Sequence, residues 1–223
     1  MNKQTLGEAL GTGLLLYVIV GSGIAAETLA TDPGVQLLGH ALAVGLGLGA
    51  LIAMLQTVSG AHFNPSVTLA FWRTGSLSAA DAARYVLAQL LGGVLGVIAA
   101  NLSFDEDIVT VSPTTRTGAG LIVAEVVATF VLVLLIVGLV RTNRSGAVPL
   151  AVGAWVAAVI FATASTGFAN PAVTVTRIFT DTYTGIAPAS VPAFLIAQVI
   201  AGLAAAALAT VLYPVLKTQH ASA

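Results

Sequence analysis

The sequence has no cysteine, which excludes a disulfide framework, an iron–sulfur cluster and any thiolate metal site. Charge is scarce too. Only 8% of the 223 residues are Asp, Glu, Lys or Arg, against about 25% in a soluble domain. The net charge of −1 gives no argument for a nucleic-acid partner, and none is expected. No convergent nucleophile and base is visible, nor any set of metal ligands, so no metal, cofactor or enzymatic chemistry is expected. The first apolar run does not read as a cleaved signal peptide. It is long, holds Gly7, Gly11 and Gly13, and follows a single basic residue, Lys3.

What the chain does have is apolar. Hydrophobic residues make up 57% of it, and the mean hydropathy is +0.99. The charges are clustered, leaving uncharged runs at 9–26, 33–72, 85–104, 145–176 and 182–216. A hydrocarbon core ~30 Å thick takes ~20 helical residues to cross, so these runs describe an integral membrane protein. They are continuous rather than alternating, which favours helices over barrel strands. Full spans are predicted at roughly 5–26, 36–58, 80–101, 118–140, 147–166 and 190–214.

One motif occurs twice, as His62-Phe63-Asn64-Pro65-Ser66-Val67-Thr68 and Phe168-Ala169-Asn170-Pro171-Ala172-Val173-Thr174. Proline lacks a backbone donor, and hydrocarbon penalises unsatisfied backbone groups. The motif makes sense if each Asn is an N-cap and each Pro the first residue of a helix that begins inside the membrane. The pieces 64–74 and 171–180 are each ~15 Å of helix, too short to span, so they dip in and return. The expected fold class is therefore all-α integral membrane: six transmembrane helices plus two re-entrant half-helices in an inverted repeat. A single domain covers 1–223, with repeats at about 1–103 and 117–216 and the polar stretch 141–146 read as the join.

Other residues fall into this plan. Glu8 and Glu125 hold matching places early in the first and fourth spans. The pairs Gly7/Gly11, Gly45/Gly49 and Gly92/Gly96 suit close helix crossings. With both termini inside, Lys3, Arg73, Arg84, Arg141, Arg144 and Lys217 are cytoplasmic, and only Arg116 and Arg177 are outside, a positive-inside bias. Trp72, Tyr17 and Tyr213 read as interfacial anchors. His40 is placed at an outer helix end and His220 in the tail, neither with a role.

The paired Asn-Pro motifs, the lead-in Ser59-Gly60-Ala61-His62-Phe63, and Glu8 with Glu125 resemble the aquaporin (major intrinsic protein) family over essentially the whole chain. The resemblance implies half-helices meeting at the midplane, a pore in every subunit of a homotetramer, and a place in the bilayer of a bacterial inner membrane. It also implies that Glu8 and Glu125 hold the re-entrant backbones. Asn64, Pro65 and Ser66 with Asn170, Pro171 and Ala172 then form the pore motifs, Ser66 standing where the family usually has Ala. If each Asn caps its helix through its side-chain oxygen, its amide N–H groups are left to donate to a passing oxygen.

The chain departs from the family directly after the second motif. Val173 stands where most members carry an Arg that narrows the outer filter and adds positive charge. Val44 takes the place of an aromatic, and Gly167 is the loop position. The fifth-span position is Ala158 by direct count, or Ile160 if the loop is two residues shorter. Arg177, one turn beyond Val173, either restores charge at the mouth or pairs with Asp181 or lipid headgroups. His62 either lines the inner approach or is structural. The expected function is a passive channel for water plus glycerol- or urea-sized solutes or neutral metalloid acids such as arsenous acid. The filter Val resembles a bacterial subgroup associated with metalloid passage. A water-selective channel is the alternative, and a secondary transporter a more distant one.

Overall fold

The computed structural model describes residues 2–214; Lys217 and His220 lie outside them. Eight α-helices order this stretch, and no strand occurs among the described residues. They are α1 (Lys3–Leu29), α2 (Pro33–Ser59), α3 (Pro65–Arg73), α4 (Ala79–Ser103), α5 (Ala119–Arg141), α6 (Val148–Ala162), α7 (Pro171–Thr176) and α8 (Val191–Leu212). Short 3-10 turns at Ser145–Ala147 and Pro188–Ser190 lead into α6 and α8, and another at Arg177–Phe179 continues α7. Six of the helices, α6 and α8 counted with the turns that lead into them, are long and apolar enough to cross a membrane; α3 and α7 are not.

Local chemistry fixes where these helices begin. The side chains of Asn2, Asp32 and Ser78 accept from the N–H groups of Thr5, Val35 and Asp81, satisfying donors that a helix start leaves open. Pro33 takes the first position of α2, where its missing N–H costs nothing. α6 stops at Ala162 rather than near 166, because Thr163 turns to extended backbone and starts a loop toward the second motif.

Polarity is distributed inside out. Glu8, Gln89, Glu125 and Gln198 are fully buried, while Leu46 and Leu150 are 74% and 80% exposed. Such a surface is stable in lipid and not in water. Packing repeats between the halves. α1 lies against α2 and α4, and α5 lies against α6 and α8. α3 is held by α8 and α4, α7 by α4 and α8, so each short helix sits partly on the opposite half. The halves are joined by residues 104–118 between α4 and α5, not by 141–146, which is a tight turn between α5 and α6. Charge marked the turn, but the helix order fixes the join. Tyr17 falls midway along α1, too deep for an interfacial anchor.

Glycine permits the closest crossings. A Cβ on Gly92 would lie 2.0 Å from the Ala9 carbonyl oxygen, and one on Gly96 2.0 Å from that of Gly13. Gly45 and Gly153 face each other in the same way across α2 and α6, at 2.6 and 2.5 Å from each other's carbonyl oxygens. Gly11 has another purpose: its missing side chain makes room for the Phe63 ring, which a Cβ would overlap at 1.9 Å. Gly92→Val should therefore force α1 and α4 apart and lower stability by about 2–3 kcal/mol. Gly39→Ala, at a position with open space around it, should leave stability unchanged or raised. Thermal unfolding of the detergent-solubilised protein compares the two.

Candidate functional site

The site grows from two loops that the backbone does not favour. Before α3, Gly60, Ala61 and Phe63 have φ of 89°, 51° and 47°; before α7, Thr166, Gly167 and Ala169 have 60°, 52° and 47°. Positive φ at a residue with a side chain costs of order 1–3 kcal/mol, so something must hold these loops. Two buried carboxylates do. Glu8 Oε1 accepts from Ser59 Oγ (2.6 Å) and the His62 N–H (3.0 Å), and Oε2 from the Phe63 N–H (2.7 Å) and Gln89 Nε2 (2.7 Å). Glu125 repeats the set with Ser165 Oγ (2.6 Å), the N–H groups of Phe168 and Ala169 (both 2.9 Å) and Gln198 Nε2 (2.5 Å).

Gln89 and Gln198 were not singled out from the sequence. Each is the lone strongly polar residue midway in its apolar span, and each sits in Ala-Gln-x-x-x-Gly, at 88–93 and 197–202. That repeat was the available signal. Gln89 Nε2 also reaches Thr68 Oγ1 (3.0 Å), and Gln198 Nε2 reaches Thr174 Oγ1 (2.8 Å), tying each carboxylate to its own motif.

The half-helix starts meet between these loops. Asn64 Oδ1 accepts from the Ser66 N–H (2.9 Å), and Asn170 Oδ1 from the N–H groups of Ala172 (2.9 Å) and Val173 (3.3 Å). Each Asn is thus the N-cap of its helix. Its amide is not wholly free, however. Asn64 Nδ2 donates to the Ala169 carbonyl (2.7 Å) and Asn170 Nδ2 to the Phe63 carbonyl (2.8 Å). One N–H of each amide is spent bracing the opposite loop, which leaves one rather than two. Pro65, Ser66, Pro171 and Ala172 pack behind the asparagines, and Ser66 Oγ donates to the Gln198 carbonyl (3.1 Å), a bond the usual Ala would lack.

A continuous cavity runs past both asparagines. Four-residue stripes on α2 (His40, Val44, Leu48, Ile52) and α6 (Val148, Val152, Val156, Ile160) form much of its wall. Toward the end of the cavity near the start of α2, Val44, Ile160, Gly167 and Val173 line it together. Ala158 does not: it is exposed on the outside of α6, half a turn from the cavity face, so the shorter-loop count that gives Ile160 fits the helix phase. His62 lines the cavity and is also packed in place, stacked on Phe71 with ring centroids 4.7 Å apart and bonded through Nδ1 to Thr68 Oγ1 at 3.1 Å.

The mouth near the start of α2 holds more polarity than expected. Arg177 is 4% exposed and lines the cavity, its guanidinium 3.6 Å from the Phe168 ring centroid. Its Nε donates to the Thr184 carbonyl. It forms no ion pair with Asp181, which is exposed; the one salt bridge among the described residues joins Arg84 and Asp81. Arg116 approaches the same ring at 5.2 Å and donates to the carbonyls of Gly185 (2.9 Å) and Tyr183 (3.3 Å). Burial pulls the Arg116 guanidinium pKa below its ordinary value, with Tyr183 and Glu125 opposing. His40, given no role from the sequence, is buried and lines the cavity beside these groups.

Comparison with known proteins agrees with this geometry. The family model for the major intrinsic protein family matches residues 1–169. Aquaglyceroporin AqpS of Rhizobium meliloti (strain 1021) is 43% identical over 208 residues, 93% of this chain and 89% of its own. Aquaporin Z of Photorhabdus laumondii is 30% identical over 171 residues, 69% of this chain and 72% of its own. The X-ray structure of the aquaglyceroporin from Plasmodium falciparum matches with a TM-score of 0.69 at 21% identity, covering 95% of this chain and 97% of that one, which shows a shared fold.

The carboxylate assignments have a direct test. Glu125→Ala strands two buried backbone donors, Ser165 and Gln198, at a cost of at least ~3 kcal/mol. Glu125→Gln, which keeps an accepting oxygen, should lose markedly less. Unfolding temperature and water flux in reconstituted vesicles should fall in that order, and equal effects would refute the loop-holding role.

Proposed function

Because the chain belongs to the major intrinsic protein family, we propose that this member is a passive pore whose apolar outer filter admits uncharged solutes wider than water. The protein is an integral membrane channel for water and small neutral solutes, and members of this family are channels rather than enzymes. The finer reading names glycerol, urea and neutral metalloid acids such as arsenous acid as solutes. One observation carries it. The belt of Val44, Ile160 and Val173 contains no Arg directly after Asn170-Pro171-Ala172 and no aromatic, so nothing in it competes for space or hydrogen bonds with a wider solute. The name of the 43% identical relative, an aquaglyceroporin, points the same way.

The mechanism follows from the two caps. A solute oxygen that crosses the apolar belt accepts the remaining N–H of Asn64 and then of Asn170, replacing part of its lost hydration. The starts of α3 and α7 each bring partial positive charge, roughly +0.5 for a long helix and less for short ones. Neutral molecules are indifferent to that field, whereas cations and protons are repelled by it. No covalent step is involved, and the gradient alone sets direction. We further propose that the channel works as a homotetramer in a bacterial inner membrane with cytoplasmic termini. The orientation is supported by Lys3, Arg73, Arg84, Arg141 and Arg144 on one side against Arg116 and Arg177 on the other.

Stopped-flow light scattering on proteoliposomes tests the solute reading. Glycerol, urea and arsenous acid should enter rapidly alongside water efflux; fast water flux with none of the three moving would leave a water-selective channel instead. Val173→Arg should cut glycerol influx about tenfold, a ~1.4 kcal/mol rise in barrier, and reduce water flux much less. Equal losses of both would remove Val173 from the filter. The wild-type pore should carry no proton current under a pH gradient, and a measurable one would show that the half-helix starts are not the barrier.

A further inference from the structure

His40 and Arg177 stand in register. Each lies four residues, or ~6 Å of helix, outward from a valine of the apolar belt: His40 from Val44 on α2, Arg177 from Val173 at the end of α7. Both line the same cavity. The mouth therefore has two levels, a polar one and, one turn further in, an apolar one.

The hydrogen bonds around His40 fix what its ring offers. Its Nδ1 lies 2.8 Å from Ser22 Oγ, and that hydroxyl donates to the Ile19 carbonyl at 3.2 Å. A hydroxyl has a single proton. Both contacts are satisfied together only if Nδ1 carries the hydrogen and donates to Ser22, so Nε2 is left as an acceptor. Nε2 has no protein partner among the described residues, and it is not enclosed by the protein. The edge of the Tyr183 ring packs against the imidazole, with centroids 5.7 Å apart, and holds its plane. Arg177 supplies the opposite chemistry. Its Nε is used on Thr184 and its face on Phe168, while its terminal nitrogens bond to no protein atom among the described residues.

We propose that His40 is a specificity-determining residue of this channel, paired with Arg177 to recognise uncharged solutes whose groups both donate and accept, above all hydroxyls. This rests on the neutral-solute reading above. A hydroxyl arriving at the mouth donates a hydrogen bond to Nε2 and accepts one from Arg177, so it sheds water without losing hydrogen bonds. It then meets Val44 and Val173, which offer none. The polar level thus does the dehydrating that the belt cannot do, and a solute lacking a donor is only half satisfied there.

The test measures glycerol and water permeability of the reconstituted full-length protein and two variants. His40→Leu keeps much of the volume and loses the acceptor. It should lower glycerol influx about three- to tenfold, the worth of one hydrogen bond, while the flux of water, small enough to keep a hydrogen-bonded water neighbour in the cavity where glycerol must shed its own, changes less than twofold. His40→Gln, whose Oε1 accepts, should recover at least half of the wild-type glycerol influx. An unchanged glycerol-to-water ratio in His40→Leu overturns the assignment. So does a Gln variant as impaired as Leu, or a proportional loss of both fluxes, because a merely structural histidine behaves in that way. Wild-type vesicles that pass water but no glycerol would defeat the wider-solute reading itself, and this inference with it.

Discussion

Two carboxylates buried in apolar protein support everything else in the molecule. An unpaired carboxylate in such a place costs many kcal/mol, so Glu8 and Glu125 are tolerable only because each accepts four hydrogen bonds. The dependence also runs the other way. The loops before α3 and α7 carry three positive-φ residues apiece, and their N–H groups turn toward the carboxylate that anchors them. With those donors satisfied inside the protein, the same loop residues are free to wall the cavity. Strain in the loops and burial of the charges are each sustained by the other.

The resulting passage alternates in character. Its mouth is polar, with His40 and Arg177. A dry belt of Val44, Ile160 and Val173 follows, then the two asparagines, then the apolar stripe ending in Ile52 and Val148 with His62 beside it. A solute never crosses more than a short apolar stretch before meeting a hydrogen-bonding group. A cation gains little from this spacing, because the Arg177 guanidinium and the asparagine N–H groups are donors and cannot replace the oxygens of its hydration shell.

Much of this was legible in the sequence, for a physical reason. Lipid forbids most backbone arrangements, so long uncharged runs interrupted by Asn-Pro leave few folds to choose from. Glu8, Glu125 and the motifs were found because a charge or a proline is conspicuous there. Gln89 and Gln198 were not, since one amide in a long span barely alters its hydropathy. Helix phase was the second obstacle. Ala158 and Ile160 are two residues apart and point to opposite sides of α6, and only the length of the loop before Asn170 decides between them. His40 was given no role because its place near the start of α2 does not reveal that this part of the helix faces the cavity. The Arg177–Asp181 pairing fails because α7 ends at Thr176 and the following turn carries Asp181 away.

The reciprocal bonds from Asn64 to the Ala169 carbonyl and from Asn170 to the Phe63 carbonyl make the midplane a seam between the halves. Neither half owns a finished pore: each provides a cap and receives its brace from the other. Conduction is therefore a property of the assembled whole and has no half-strength version in a chain that stops after α4. The 104–118 connection makes neither midplane bond, but it ties the halves elsewhere: the Thr110 and Ser112 N–H groups donate to the carbonyls of Phe179 and Ile178, and the Ala187 N–H to that of Thr114. The halves are complementary pieces, bonded to each other at the midplane and fastened again where the tethering segment lies along the second half.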